Sequence, residues 1–120
     1  MAELDPLEAS QIITDEYAAK ILVATSRKGK HAIELSQTLG IPIAACYRRI
    51  HTLEKAGLLK CTEVVTGKKG KPIKLYKSLL KRAFVYFERG KLRVRFEFAT
   101  GKVEEFGTDW SAVDIEELWR

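Results

Sequence analysis

The sequence predicts an α+β protein in which helices come first and antiparallel strands follow. Apolar residues recur at helical spacing up to residue 56, whereas over residues 91–98 they alternate strictly with charged residues. The first pattern is typical of amphipathic helices and the second of a half-buried strand. A chain of 120 residues can bury one ordinary core, so we expect one main unit, residues 1–80, with a small β unit, residues 81–120, attached to it.

Helix signals fill the first half of the main unit. Asp5 and Pro6 suit the N-cap and the first position of a short helix over residues 6–12. The cap candidate Thr14 and the acids after it begin a second helix, whose apolar positions are Ala18, Ile21, Leu22 and Thr25. The next helix covers residues 31–39, with the apolar positions Ile33, Leu35 and Leu39.

Residues 35–59, LSQTLGIPIAACYRRIHTLEKAGLL, place two helices on either side of a short turn. Gly40 can adopt the positive φ that ends a helix, and Pro42 suits the first position of the next one. The apolar residues that share one face of this last helix are expected to pack on the earlier helices: Cys46, Ile50 and Leu53. This layout is that of a helix-turn-helix.

A lysine-rich β-hairpin is predicted directly after the helix-turn-helix. Two strand-like runs are joined by a turn over residues 67–72, and lysines occupy the tip and the return strand: Lys68, Lys69, Lys71 and Lys74. A solvated loop would explain these lysines equally well if they stood alone. Their position favours a wing, and with it a winged helix-turn-helix made of a three-helix core and a β-hairpin.

The last third of the chain is predicted to form a small antiparallel β unit and a closing helix. Residues 91–98 form a strand with Leu92, Val94, Phe96 and Phe98 on its buried face, residues 83–89 are its hairpin partner, and residues 103–106 add a third strand. Thr108 or Asp109 then caps an acidic helix with an apolar stripe of Trp110, Val113, Leu118 and Trp119. A sheet this small does not fold alone, so we expect it to pack on the helices or on a second copy.

Charge is segregated along the chain. Residues 27–95 contain eighteen Lys and Arg against four Asp and Glu, a net +14, while the two flanks together contain three against twelve, or −9. The two values add up to the net charge of +5 of the whole chain. A basic middle that coincides with a helix-turn-helix and a hairpin is the pattern expected of a protein that binds double-stranded DNA.

The outward face of the last core helix carries the candidate base contacts. Burial of its apolar face leaves these residues directed outward near its N-terminal half: Ile43, Ala44, Tyr47, Arg48 and His51. Arginine can bind guanine through two hydrogen bonds in the major groove, so Arg48 is the preferred base contact and Tyr47 a contact to a base or a phosphate. The alternative is that Arg48 and Arg49 only form a solvated face. Lys28 and Lys30 are further phosphate candidates.

The sequence predicts no enzyme, no cofactor and no metal site. It has no Ser/His/Asp arrangement, no Gly-rich phosphate loop and no cluster of carboxylates with histidine. Cys46 and Cys61 lack a second ligand at a familiar spacing, which favours ordinary packing, although redox sensing by Cys61 stays open. The cysteine usage, with no apolar leader and no membrane-length apolar run, predicts a cytoplasmic protein that does not enter membranes.

The run ELSQTLGIPIAACYRRIHTLEKAGLL, followed by a hairpin that ends in KLYKS, resembles the winged helix-turn-helix of the arsenic-repressor-like superfamily, especially its small archaeal regulators. The resemblance covers residues 14–78, and other winged-helix families share its pattern. It implies transcription regulation by operator binding, usually as a homodimer, with recognition by Pro42 to His51 and a wing at residues 66–74. The chain lacks the paired cysteines and the long C-terminal dimerising helix of the metal-sensing members.

We therefore expect a sequence-specific regulator with helix 42–56 in the major groove and the hairpin of residues 66–74 on the DNA backbone. The strands over residues 84–106 could pair across a two-fold axis, hold a ligand or dock a partner. A winged-helix protein-interaction module is the alternative function, because Ile43, Ala44 and Tyr47 form a rather apolar outer face. The residues do not identify a small-molecule effector.

Overall fold

The computed structural model describes residues 4–108 and Glu117, and its architecture is α+β, as the sequence predicts. Within these residues the chain forms four α-helices and two antiparallel sheets, of two and three strands. In chain order the elements are α1 (Pro6–Thr14), α2 (Glu16–Ala24), α3 (Ala32–Leu39), α4 (Ile43–Lys55), β1 (Leu59–Thr66), β2 (Pro72–Ser78), β3 (Leu80–Glu88), β4 (Lys91–Phe98) and β5 (Val103–Gly107).

Helices α1 and α2 meet at Asp15, which separates them without a loop. The Asp15 carboxylate accepts a hydrogen bond from the Ala18 N–H at 2.9 Å and so caps α2. The predicted cap, Thr14, is instead the last residue of α1, which extends two residues beyond its predicted end. The start of α1 is as predicted, because the Asp5 side chain caps its first turn.

Helices α3 and α4 are joined by the predicted turn. Gly40 has φ of 68°, and the apolar face of α4 is buried as expected, with Cys46, Ile50 and Leu53 at most 2% exposed. The prediction for Ile33 is wrong, because this side chain is 50% exposed whereas Leu35 is buried. Two residues along a helix differ by about 200° in direction, so Ile33 and Leu35 cannot share a face.

The hairpin of β1 and β2 is fixed to the helical part by a bridge that the sequence does not reveal. Its strands pair from Leu59 with Ser78 to Thr66 with Pro72. The Lys30 N–H donates to the Tyr76 carbonyl at 3.0 Å, and the Tyr76 N–H donates to the Lys30 carbonyl at 2.8 Å. The segment before α3 therefore pairs with β2 and holds the hairpin beside the helices.

The second sheet has the strand order β3-β4-β5, with β4 in the middle. The alternation predicted for β4 is confirmed: Leu92, Val94, Phe96 and Phe98 are all buried. Strand β3 begins three residues earlier than predicted, at Leu80, and most of its side chains are exposed. The third strand is present as predicted and ends one residue later, at Gly107.

Helix α1 connects the second sheet to the other helices. It packs on β4 and β5 as well as on α2, and its residue Ala9 is completely buried in the core. Leu79 links the two sheets, because its N–H donates to the Leu58 carbonyl and its carbonyl accepts from the Ala99 N–H. One continuous hydrophobic core results, so the β unit packs on the helices, as one of the two sequence expectations has it.

The predicted closing helix, with Trp110, Val113, Leu118 and Trp119, lies outside the described residues. The last residue before it, Thr108, is buried; its N–H donates to the Leu92 carbonyl, and its hydroxyl accepts from the Leu92 N–H. In the described part of the chain, every helix is too short or too polar to cross a membrane.

Candidate nucleic-acid interface

The outer face of α4 is exposed along its first two turns. Pro42, Ile43, Ala44, Tyr47, Arg48 and His51 all lie on the surface, as the sequence predicts. Within residues 4–108, no hydrogen bond or ion pair engages the side chain of Arg48 or of His51. Both side chains can therefore bind an external group without first breaking an internal contact.

Arg49 has a different role from its neighbour Arg48. Its guanidinium binds the Asp15 carboxylate through two hydrogen bonds, Nε to Oδ2 at 2.8 Å and Nη2 to Oδ1 at 3.2 Å. It also lies 5.5 Å from the centre of the Tyr17 ring, within range of a cation–π contact. Arg49 thus anchors α4 to the start of α2, so the alternative in which Arg48 and Arg49 form only a solvated face does not hold for Arg49.

The ion pair shifts the pKa of both of its members. The hydrogen bond from Arg49 is the main cause that lowers the pKa of Asp15, and burial opposes it in part. The same hydrogen bond raises the pKa of Arg49. Both groups are charged at neutral pH, so the anchor holds α4 in place under ordinary conditions.

The N-terminus of α4 presents backbone donors. Pro42 occupies the cap position, no side chain caps this end, and the first turn contains no acidic residue. The N–H groups of the first turn have no partner inside the helix, and the helix dipole adds a partial positive charge there. A phosphate group is the kind of ligand that fits such an end.

The hairpin tip is compact and strongly basic. Residues Lys68–Gly70 form one 3-10 turn in which Lys69 has φ of 60°, and the Gly67 N–H closes the loop on the Lys71 carbonyl at 2.7 Å. Four lysine side chains are exposed there: Lys68, Lys69, Lys71 and Lys74. Within residues 4–108 none of them forms an ion pair, so their charge is available to an external anion.

A cleft of about 260 Å³ lies between α4 and the β1–β2 hairpin. Tyr47 of α4 and Lys74 of β2 both line it. His31, Ile33 and Tyr76 also line it, although the sequence gives none of them a functional role. Only the spacing of Ile33 relative to Leu35 could have indicated that Ile33 faces outward. Tyr76 is held in the wall of the cleft by its backbone bridge to Lys30, which is a long-range contact.

The cysteines have ordinary surroundings. Cys46 is completely buried, and burial raises the pKa of its thiol, which makes it a poor nucleophile. Cys61 is half-buried, with its sulfur 3.6 Å from the Glu63 carbonyl. Across residues 4–108, no three His, Cys, Asp or Glu side chains come together in a group that could hold a metal ion.

The comparisons with known proteins leave the family open. No protein-family model matches the sequence, and no curated protein is significantly similar to it.

Proposed function

We propose that this protein is a winged-helix transcription regulator that binds double-stranded DNA, with α4 in the major groove and the β1–β2 hairpin on the flanking backbone. The observation that carries the proposal is the shared cleft, because Tyr47 and Lys74 line it together. The exposed face of α4 and the basic hairpin therefore lie on one side of the molecule. A duplex requires a recognition helix and positively charged side chains that can contact it together.

The dimensions of α4 suit the major groove. A helix with its side chains is about 10–12 Å wide, which matches the width of this groove. Arg48 has no internal partner among residues 4–108 and can form two hydrogen bonds to a guanine. The uncapped N-terminus of α4 can receive a phosphate beside it.

The hairpin would supply positive charge to the interface. Its four exposed lysines would bind phosphates through charge, which supplies affinity but no sequence preference. Sequence preference would come from α4. We further propose that the protein acts as a homodimer on a palindromic site, whose half-sites lie about one helical turn, or roughly 34 Å, apart.

Selection of bound duplexes from a random DNA pool tests this assignment. The wild-type protein is expected to enrich a defined sequence, and Arg48→Ala is expected to lose the preference at one base position while keeping the others. Arg89→Asn is the matched control, because it removes an exposed arginine from the β3–β4 turn and suits the φ of 53° at that position. Enrichment of no sequence by the wild-type protein would contradict sequence-specific binding.

A protein-interaction module is the second candidate function. The observation that favours it is apolar exposure around the cleft, where Ile33, Ile43 and Tyr47 are 50%, 44% and 51% exposed. Binding through such a surface depends little on salt, whereas phosphate binding weakens steeply as salt rises. A ligand bound equally well at low and high salt would favour this second candidate.

A further inference from the structure

Strand β3 is an edge strand with an unusually apolar, exposed surface. It pairs with β4 on one side, and no strand of the described residues lies along its other side. Phe84, Val85 and Phe87 are 42%, 42% and 78% exposed. An edge strand of nine residues leaves a row of backbone N–H and C=O groups that can pair with another strand.

One face of β3 extends the core without being covered. Ala83, Val85 and Phe87 lie opposite the core residues Phe96, Val94 and Leu92 of β4. Helix α1 packs on β4 and β5 and buries their side of this face. The exposed fractions of Val85 and Phe87 indicate that α1 does not cover the β3 part of this face. An apolar row therefore ends at the free edge of the sheet.

The sequence of β3 is complementary to itself when two copies run antiparallel about an axis at Val85. In antiparallel strands, directly opposed residues lie on the same face and interact through their side chains. The opposed pairs are then Arg82 with Glu88, Ala83 with Phe87, Phe84 with Tyr86, and Val85 with itself. This register gives one ion pair and one aromatic pair on each side of the axis. Its like-charge pair, Lys81 with Arg89, lies at the outer end, where Arg89 already follows the last residue of β3.

Neighbouring registers lose this complementarity. An axis at Phe84 would place Lys81 opposite Phe87, and an axis at Tyr86 would place Phe84 opposite Glu88. Neither arrangement pairs opposite charges across the interface. The side chains of Arg82 and Glu88 are 59% and 51% exposed, and each already binds a residue of β4: Arg82 binds Glu97 at 2.8 Å and Glu88 binds Arg93 at 3.6 Å. An ion pair across an axis at Val85 would therefore extend these existing pairs into a network.

We infer that β3 pairs with β3 of a second copy about a two-fold axis at Val85, which joins two three-stranded sheets into one six-stranded antiparallel sheet. The axis is perpendicular to the sheet, so α1 of both copies lies on the same face. The two apolar rows of Ala83, Val85 and Phe87 then meet along the centre of that face. This interface follows from the strand itself and does not rest on DNA binding.

The molar mass in solution, measured by light scattering after size-exclusion chromatography, tests the interface. The full chain is expected at twice its monomer mass of 13.6 kDa. Val85→Lys, with an unchanged circular dichroism spectrum, is expected at the monomer mass, because two lysines would meet at the axis. Val64→Lys is the matched control, since Val64 is a strand valine of β1 with 57% exposure, and it is expected to stay dimeric.

Disulfide cross-linking tests the register. In a Cys61→Ser background, Val85→Cys is expected to cross-link to itself, because directly opposed Cα atoms lie about 4.5–5.5 Å apart. Ala83→Cys and Phe87→Cys are each expected to stay uncross-linked alone, with about 14 Å along the strand between equivalent residues. A mixture of these two variants is expected to cross-link.

Three results would overturn the inference: a monomeric wild-type chain, a Val85→Lys variant that stays dimeric, or cross-linking of Val64→Cys in place of Val85→Cys. A monomer in which deletion of residues 109–120 produces the dimer would identify that segment as the occupant of the β3 edge. The outcome is separate from the proposed function. A monomer that binds DNA contradicts the interface and the proposed homodimer but not DNA binding, and a dimer that fails to bind DNA contradicts DNA binding but not the interface.

Discussion

At the scale of single residues, Asp15 makes three interactions that position α4. Its backbone N–H donates a hydrogen bond to the Gln11 carbonyl at the end of α1. Its carboxylate caps α2 and also binds Arg49. The side chains of Asp15 and Arg49 are each about two-thirds buried, at 32% and 30% exposure. One aspartate therefore couples the junction of the first two helices to the helix that carries the candidate base contacts.

The two adjacent arginines of α4 are expected to differ in their effect on stability. Arg49→Ala removes a two-point ion pair and a cation–π contact, which should lower the free energy of unfolding by about 1 kcal/mol. Arg48→Ala removes an exposed side chain without an internal partner among residues 4–108 and should leave the free energy of unfolding within about 0.5 kcal/mol. Urea unfolding of both variants measures the difference. Equal losses would contradict the anchor role of Arg49.

The ion pair also predicts a pH dependence. Because the folded protein lowers the pKa of Asp15, the stabilisation is complete above the ordinary aspartate pKa of about 3.9 and is lost as the pH falls through the lower folded value. Asp15→Asn keeps a good helix cap but removes the charge. Its deficit in unfolding free energy should be about 1 kcal/mol at neutral pH and should shrink below about pH 4.

Urea unfolding of the wild type and Asp15→Asn at a series of pH values measures this change. If the deficit in unfolding free energy stayed constant down to about pH 2, the charge of Asp15 would contribute nothing to stability, and only the shape of its side chain would matter.

At the scale of elements, the candidate DNA-binding surface is shared between α4 and the hairpin. Helix α4 offers a directional donor in Arg48, while the hairpin offers mobile charges on long side chains. The bridge between Lys30 and Tyr76 holds the hairpin beside the helices. The two elements can therefore contact one ligand at the same time.

The lysines at the hairpin tip are expected to act through phosphates. Replacing Lys68, Lys69 and Lys71 by alanine should weaken binding to all duplexes alike and reduce the slope of log K against log salt by about 1 per lost contact. Fluorescence anisotropy with a specific and an unrelated duplex measures both effects. Replacing Lys20, Lys91 and Lys102 is the charge-matched control, because these lysines lie outside the hairpin and outside β3. A change of base preference in the tip variant would contradict a role limited to phosphates.

Much of the secondary structure could be predicted, because local patterns determine it. The helical spacing of Cys46, Ile50 and Leu53 and the alternation along β4 each fix which face is buried. The candidate residues of α4 and the hairpin lie on the surface for the same reason. The ion pair of Arg49 with Asp15 could not be predicted, since it joins residues 34 positions apart in the sequence. The cleft also depends on such long-range contacts.

At the scale of the whole molecule, α1 joins the two parts of an elongated chain. The radius of gyration is 17.2 Å, against about 14 Å for a compact domain of this length. Helix α1 packs on α2 and on β4 and β5, so both parts share one core. The sequence assigns α1 to the main unit and could not indicate that it also covers the second sheet.

Overpacking at Ala9 tests the shared core. Ala9 is completely buried, so Ala9→Leu should lower the free energy of unfolding by about 1–3 kcal/mol. Gln11→Leu is the matched control, because Gln11 lies on the exposed side of the same helix and the change should stay within about 0.5 kcal/mol. Thermal unfolding monitored by circular dichroism measures both. A neutral Ala9→Leu would mean that α1 is not held against the sheet.

A salt titration of binding to a labelled duplex tests whether the chain binds duplex DNA through charge and α4. Binding is expected at about 50 mM salt and should weaken by orders of magnitude towards about 200 mM, with Arg48→Ala weaker on the selected sequence and unchanged in its fold. Failure of the wild-type protein to bind any duplex at low salt, or binding that does not change with salt, would contradict DNA binding through charge and α4.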